Sequence, residues 1–183
     1  MKDKTILQGV SVFFLCSVLL SCNQTKAAGS VDEKDVAAKV AERAEVVLKD
    51  YGADPIVLNI EDYTLENDNF RTTLWTGKNL QVTLMSIPAG GEVGLEIHHD
   101  IDQFLRIEEG EGKVMMGDSG ENLGVVQEVR DDYAIFVPAG KWHNIINTGD
   151  KPLKLYSIYS PPEHPHGTVH KTYEEAMEAE HHH

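Results

Sequence analysis

Cysteine is nearly absent from this 183-residue chain: Cys16 and Cys22 are the only two, and both fall within the first 22 residues. From residue 23 onward there is no thiol, which excludes a cysteine nucleophile, a paired-cysteine zinc site and a stabilising disulfide. Stability must come from packing. Basic residues are scarce as well, 16 Lys and Arg against 30 Asp and Glu, for a formal net charge of −14. A nucleic-acid backbone is held by clustered Lys and Arg, so nucleic acid is excluded as a partner. There is no Gly-rich phosphate loop and no Gly-x-Ser-x-Gly nucleophile turn. The apolar run from Val10 to Leu20 is too short for an ordinary membrane-spanning helix.

That run belongs to an expected export signal over residues 1–21. Lys2 and Lys4 give it a positive start, and Leu19-Leu20-Ser21-Cys22 resembles a bacterial lipobox. The alternative is a plain secretory signal with a chance cysteine. Lipid on Cys22 would anchor the protein in a bacterial cell envelope, on the periplasmic face or the outer surface, without a transmembrane helix. Residues 22–55 then read as a polar tether, Asn23 to Gly29, followed by one amphipathic helix. Ser30-x-x-Glu33 is a capping box, and Val36, Val40, Ala44, Val47 and Leu48 form a helical stripe ending near Asp50, with Gly52 as the stop.

From residue 56 to residue 162 the pattern changes to short apolar or alternating runs punctuated by Gly, Asn, Asp and Pro. The expected strands are Ile56–Ile60, Phe70–Thr76, Leu80–Ile87, Val93–His98, Gln103–Glu109, Gly112–Met116, Gly124–Val129, Tyr133–Val137, His143–Asn147 and Lys154–Tyr159. Many short strands without intervening helices predict an all-β sandwich or closed barrel. Residues 163–183 form a C-terminal arm with His164, His166 and His170, then a helix-prone stretch from Thr172 to Glu180. The arm is expected to be ordered and to lie over the barrel mouth, add a second metal site or join an oligomer contact.

Two polar clusters carry the candidate chemistry. Glu96 and His98 are two apart on one strand and so share a face, and Gln103 opens the next strand after a tight Asp100-Ile101-Asp102 connection. His143 follows the turn Pro138-Ala139-Gly140-Lys141-Trp142. Two imidazoles, a carboxylate and an amide oxygen suit a divalent first-row metal: Fe, Mn, Ni or Zn. His99 has the opposite parity to His98 and replaces it only in a shifted register. Further pocket candidates are Met85 and Leu105, inward by alternation, Trp142 beside His143, and Arg71. Arg71 is a candidate holder of an anionic group, with a surface salt bridge as its alternative.

These clusters resemble the two signature motifs of the cupin superfamily. The first runs from Gly90 through Glu96, His98 and Gln103 to Gly110, and the second through Pro138, Gly140, His143 and Asn147. Three positions depart from the pattern: Glu96 stands for a histidine, Gln103 for a glutamate, and Asp132 for the leading glycine of the second motif. The resemblance implies a cupin-type β-barrel (a double-stranded β-helix or jelly roll) and a homodimer. It also implies a metal held by Glu96, His98, Gln103 and His143, activating water, dioxygen or a substrate carbonyl. The expected function is a dioxygenase- or isomerase-like action on a small oxygen-rich molecule, such as a carbohydrate or a phenolic compound. The alternatives are a non-catalytic small-molecule or carbohydrate binder, and a barrel whose metal site has decayed to a polar pocket.

Overall fold

The computed structural model describes residues 45–180. The export signal, the tether and most of the expected helix lie outside them. Residues 45–50, its expected last turn, are not helical. Tertiary contacts hold them instead. The Tyr51 amide donates to the Leu74 carbonyl at 2.9 Å. The Asp50 carboxylate accepts from Thr76 Oγ1 at 2.6 Å and from the Gly167 amide at 3.0 Å. No helix among the described residues is long and apolar enough to cross a membrane.

The expected strand over Ile56–Ile60 does not form. Val57 is fully exposed, and the chain enters helix α1, Ile60–Glu66. Asn59 Nδ2 donates to Asp62 Oδ2 at 2.9 Å there, and Glu61 and Asp62 place negative charge at the helix start. The expected strands after it are all present, with ends shifted by a few residues. They are β1 (Arg71–Thr76), β2 (Gln81–Ile87), β3 (Glu96–Ile97), β4 (Asp102–Glu109), β5 (Glu111–Gly117), β6 (Val125–Arg130), β7 (Ala134–Val137), β8 (Trp142–Asn147) and β9 (Leu153–Ser160). The arm adds β10 (Val169–His170) and helix α2 (Tyr173–Glu180).

The strands form two antiparallel sheets, one in the order β10-β1-β2-β9-β4-β7 and one in the order β3-β8-β5-β6. Alternation decides which side chains meet between them. On β7, Ile135 and Val137 are buried while Ala134 and Phe136 face out. On β4, Gln103, Leu105 and Ile107 point inward. Glu108 breaks the alternation. The register slips between Ile107 and Glu109, and Glu108 is buried in an ion pair with Arg106. The core joins Met85, Leu105, Val114, Val137, Ile145 and Leu155, and Ala176 of α2 packs against the same cluster.

Asp132 explains one departure from the motif. It sits at φ 70°, the left-handed region that normally selects glycine. Aspartate is one of the few other residues that visit this region readily. Its amide donates to the Ile107 carbonyl at 3.0 Å and its carboxylate pairs with Arg106.

Candidate metal centre

β3 and β8 pair antiparallel with Glu96 opposite His143. His98 follows β3, two residues from Glu96, and so returns to the same side. The turn between β7 and β8 locks this arrangement. The Gly140 amide donates to the His98 carbonyl at 2.7 Å, and the Ala139 amide donates to Asp102 Oδ1 at 2.9 Å. Gly140 has φ 78°, so a side chain at this position would strain the clip that joins the two motifs. Asn147 fastens the far end of β8. Its amide nitrogen donates to the carbonyls of Ile87 and Lys151, each at 2.8 Å, and its oxygen accepts from the Gly149 amide at 2.9 Å.

Glu96, His98 and His143 converge, each offering a ligand atom within 4.8 Å of the others. His143 is buried, with Nδ1 3.1 Å from the Lys141 carbonyl and Nε2 3.0 Å from Glu96 Oε1. A carbonyl only accepts, so Nδ1 carries a proton, and in the neutral ring the Nε2 lone pair faces the carboxylate. His98 repeats the arrangement: Nδ1 lies 3.4 Å from Glu163 Oε1 and Nε2 lies 3.3 Å from Glu96 Oε1. That Nε2 is buried without a well-aligned hydrogen bond among the described residues. Facing lone pairs call for a cation between them, either a proton or a metal ion. Donors bound at about 2.1 Å and at right angles stand about 3.0 Å apart, close to the 3.0 and 3.3 Å found here. Two imidazoles whose other nitrogens are held by a carbonyl and a carboxylate form the outer shell expected of metal-ligating histidines. The residues present fit a divalent ion.

Electrostatics agree. Burial alone would raise the pKa of Glu96, but hydrogen bonds and positive charge from His143 and His98 outweigh it and hold the carboxyl well below its usual range. Burial alone would lower that of His98, but the carboxylates of Glu163 and Glu96 raise it to about 9. Without metal, a proton on His98 supplies the missing positive charge. The Tyr159 phenol, packed edge-on against His98 at 5.6 Å, is pushed up by burial and then by the charge on Glu96.

Gln103 is buried on β4, and its Nε2 donates to Ser157 Oγ at 3.1 Å. Its Oε1 has no hydrogen-bond partner among the described residues, a leftover acceptor consistent with an oxygen ligand. His99 is exposed and outside the group. Glu96 and His98 open into a cavity of about 670 Å³ lined also by Ile97, Glu163, His164 and His170 among others, whereas the buried His143 and Gln103 are not among its lining residues. The four further pocket candidates are not among its lining residues. Met85 and Leu105 are core filling. Trp142 falls on the opposite side of β8 from His143 by alternation and packs near Gly120 and Leu95. Arg71 is fully buried rather than on the surface, and its charge is felt by His164 and Tyr159.

Glu163 is the site residue that sequence reasoning missed. It follows β9 within Pro161-Pro162-Glu163-His164, and no spacing ties it to His98; only the folded arm does. His164 and His170 do reach the cavity, whereas His166 is exposed and pairs with Asp50 at 3.5 Å.

A two-sheet antiparallel barrel with two histidines and a carboxylate gathered at a cavity defines a class of small β-barrel proteins with a metal-type site. Comparison with known proteins names the family. Residues 83–159 match the Cupin domain model. The chain is 59% identical over 139 residues to YrkC of Bacillus subtilis (strain 168), covering 76% of this chain and 75% of that one. It is 39% identical over 114 residues to L612 of Acanthamoeba polyphaga mimivirus, covering 62% of this chain and 69% of that one. The crystal structure of BH2720 from Bacillus halodurans superposes with a TM-score of 0.71 at 62% identity, covering 71% of this chain and 98% of that one. The chain belongs to the cupin superfamily.

Proposed function

We propose that this cupin binds a divalent first-row metal through Glu96, His98 and His143, with Gln103 Oε1 as a fourth ligand, and uses it to hold a small oxygen-rich molecule. The observation that carries this reading is the convergence of two histidine Nε2 atoms on one oxygen of Glu96, each Nδ1 being engaged elsewhere. The two exchanges, Glu96 for a histidine and Gln103 for a glutamate, leave one carboxylate in the ligand set, so a divalent ion would keep a net positive charge that favours a chelating anionic or enol-like oxygen. Bound metal would act as a Lewis acid toward water, dioxygen or a carbonyl. The chain's own part is to hold the ion by its buried side chains, orient His98 through Glu163, and enclose the ligand in the cavity.

Metal content of the full chain purified without chelators tests this reading. About one ion per chain is expected, lost in His98→Ala and in His143→Ala; equal content in all three proteins contradicts it. Oxygen uptake by Fe(II)-loaded protein with phenolic and enolic compounds separates turnover from simple binding. The lipobox-like sequence supports a cell-envelope location, and loss of membrane association in Cys22→Ala is its test.

A further inference from the structure

Glu163 reaches the centre from the C-terminal arm, with Oε1 3.4 Å from His98 Nδ1. Its side chain is 33% exposed, so packing alone does not hold it there. Its backbone is fixed instead, by the fully buried Gln81 on β2. Gln81 Oε1 accepts from the amides of Glu163 and His164 at 3.2 and 2.9 Å, and its Nε2 donates to the His164 carbonyl at 2.8 Å. Three bonds from one planar amide set both the position and the direction of the chain at Glu163.

A chain of hydrogen bonds decides which way the Gln81 amide points. It starts at Asp50. Burial would raise the pKa of that carboxyl, but hydrogen bonds from Thr76, Gly167 and Gly52 lower it below the ordinary value, so it is ionised and only accepts. Thr76, which faces Gln81 across the β1–β2 hairpin, spends its proton on Asp50 Oδ2 at 2.6 Å and accepts from Gln81 Nε2 at 2.9 Å. The Gln81 oxygen is thereby turned to the two arm amides. Asp50 also accepts from the Gly167 amide at 3.0 Å, so Asp50, Thr76 and Gln81 grip the arm at both ends of the stretch 163–167. Gln81 shares one inward row with Tyr159 and Gln103 on adjacent strands. Two strand spacings, ~10 Å, separate it from Gln103, too far for it to touch an ion held there.

We propose that Gln81 is a positioning residue of the metal centre: by gripping the arm it holds the Glu163 carboxylate on His98 Nδ1, which turns His98 Nε2 toward the ion. The proposal rests on the reading of Glu96, His98 and His143 as metal ligands. A carboxylate behind a ligating histidine is worth about 10–100-fold in metal affinity. A residue that places such a carboxylate acts through the same factor, and only through it.

The test is the rate at which the Zn(II)-loaded full chain loses its ion to excess EDTA, with Zn(II) content measured at the start. Gln81→Leu and Glu163→Ala are each expected to lose the ion ~10-fold faster than the wild type. The double variant is expected to match Glu163→Ala alone, because the grip then has no carboxylate to place. Asp132→Val, destabilised at a turn outside the centre, keeps the wild-type rate. Thr76→Val removes only the supporting hydroxyl, and its expected rise of about threefold, absent beside Glu163→Ala, carries the test if Gln81→Leu does not fold. A wild-type rate in Gln81→Leu, or in Thr76→Val where Gln81→Leu does not fold, overturns the proposal. So does further acceleration in the double variant, or an equal acceleration in Asp132→Val. A wild type that takes up no Zn(II) overturns the metal reading, and this proposal with it.

Discussion

Metal uptake by this protein should release a proton, and the size of the effect follows from His98. In the metal-free chain the carboxylates of Glu163 and Glu96 raise the His98 pKa to about 9. A metal needs the Nε2 lone pair, so below that pH it must first displace a proton. Affinity then rises about tenfold per pH unit and levels off above pH ~9. At pH 7 it lies ~100-fold under the plateau, or ~2.7 kcal/mol. Calorimetry with Zn(II) at pH 7, in two buffers of different ionisation enthalpy, counts the protons directly; about one per ion is expected. The tenfold slope should appear between pH 6.5 and 8.5. Glu163→Gln removes a raising contact and moves the midpoint down. The sign is opposite for the stability of the metal-free fold. A folded-state pKa above the ordinary 6.5 stabilises fully below that value, and the contribution is lost as pH rises through about 9. No proton release at pH 7 together with flat affinity up to pH ~8.5 would refute this account of His98.

Three further perturbations probe the frame around the site. Asp132 occupies a backbone conformation that β-branched residues resist, so Asp132→Val should cost ~1–2 kcal/mol in urea denaturation while Asp132→Gly stays near wild type. Asn147→Ala leaves two carbonyls and the Gly149 amide without their partner, for an expected loss of ~2–4 kcal/mol by the same assay. Gln81→Ala should speed amide exchange in residues 163–170, read by mass spectrometry, and leave β4 unchanged. Unaltered exchange in the arm would remove Gln81 as its clamp.

The barrel was legible wherever alternation and turn residues agreed, as in Tyr133–Val137 followed by Pro138-Ala139-Gly140. Such runs report burial on one face, and that is what sets a strand. The segment Ile56–Ile60 shows the limit. It is as apolar as a strand, but its neighbours tie residues 50 and 51 to β1, and the Asn59-Ile60-Glu61-Asp62 stretch favours a helix start instead. At the site, the convergence of Glu96, His98 and His143 followed from motif spacing, because strand parity and the Gly140 turn fix it locally. Glu163 and the placement of His164 did not, since both depend on Gln81 gripping a segment more than eighty residues further along. Arg71 misleads for a related reason: a charged residue in an alternating strand reads as surface, whereas here it is fully buried.

Anomalous X-ray diffraction from crystals of the full chain, purified without chelators and measured at the absorption edge of the metal it carries, tests the central claim most directly. The account predicts one strong peak about 2.0–2.3 Å from the Nε2 atoms of His98 and His143 and from Glu96 Oε1, with Gln103 Oε1 in the same shell. A peak elsewhere, or none after soaking with Mn(II) or Zn(II), would contradict it.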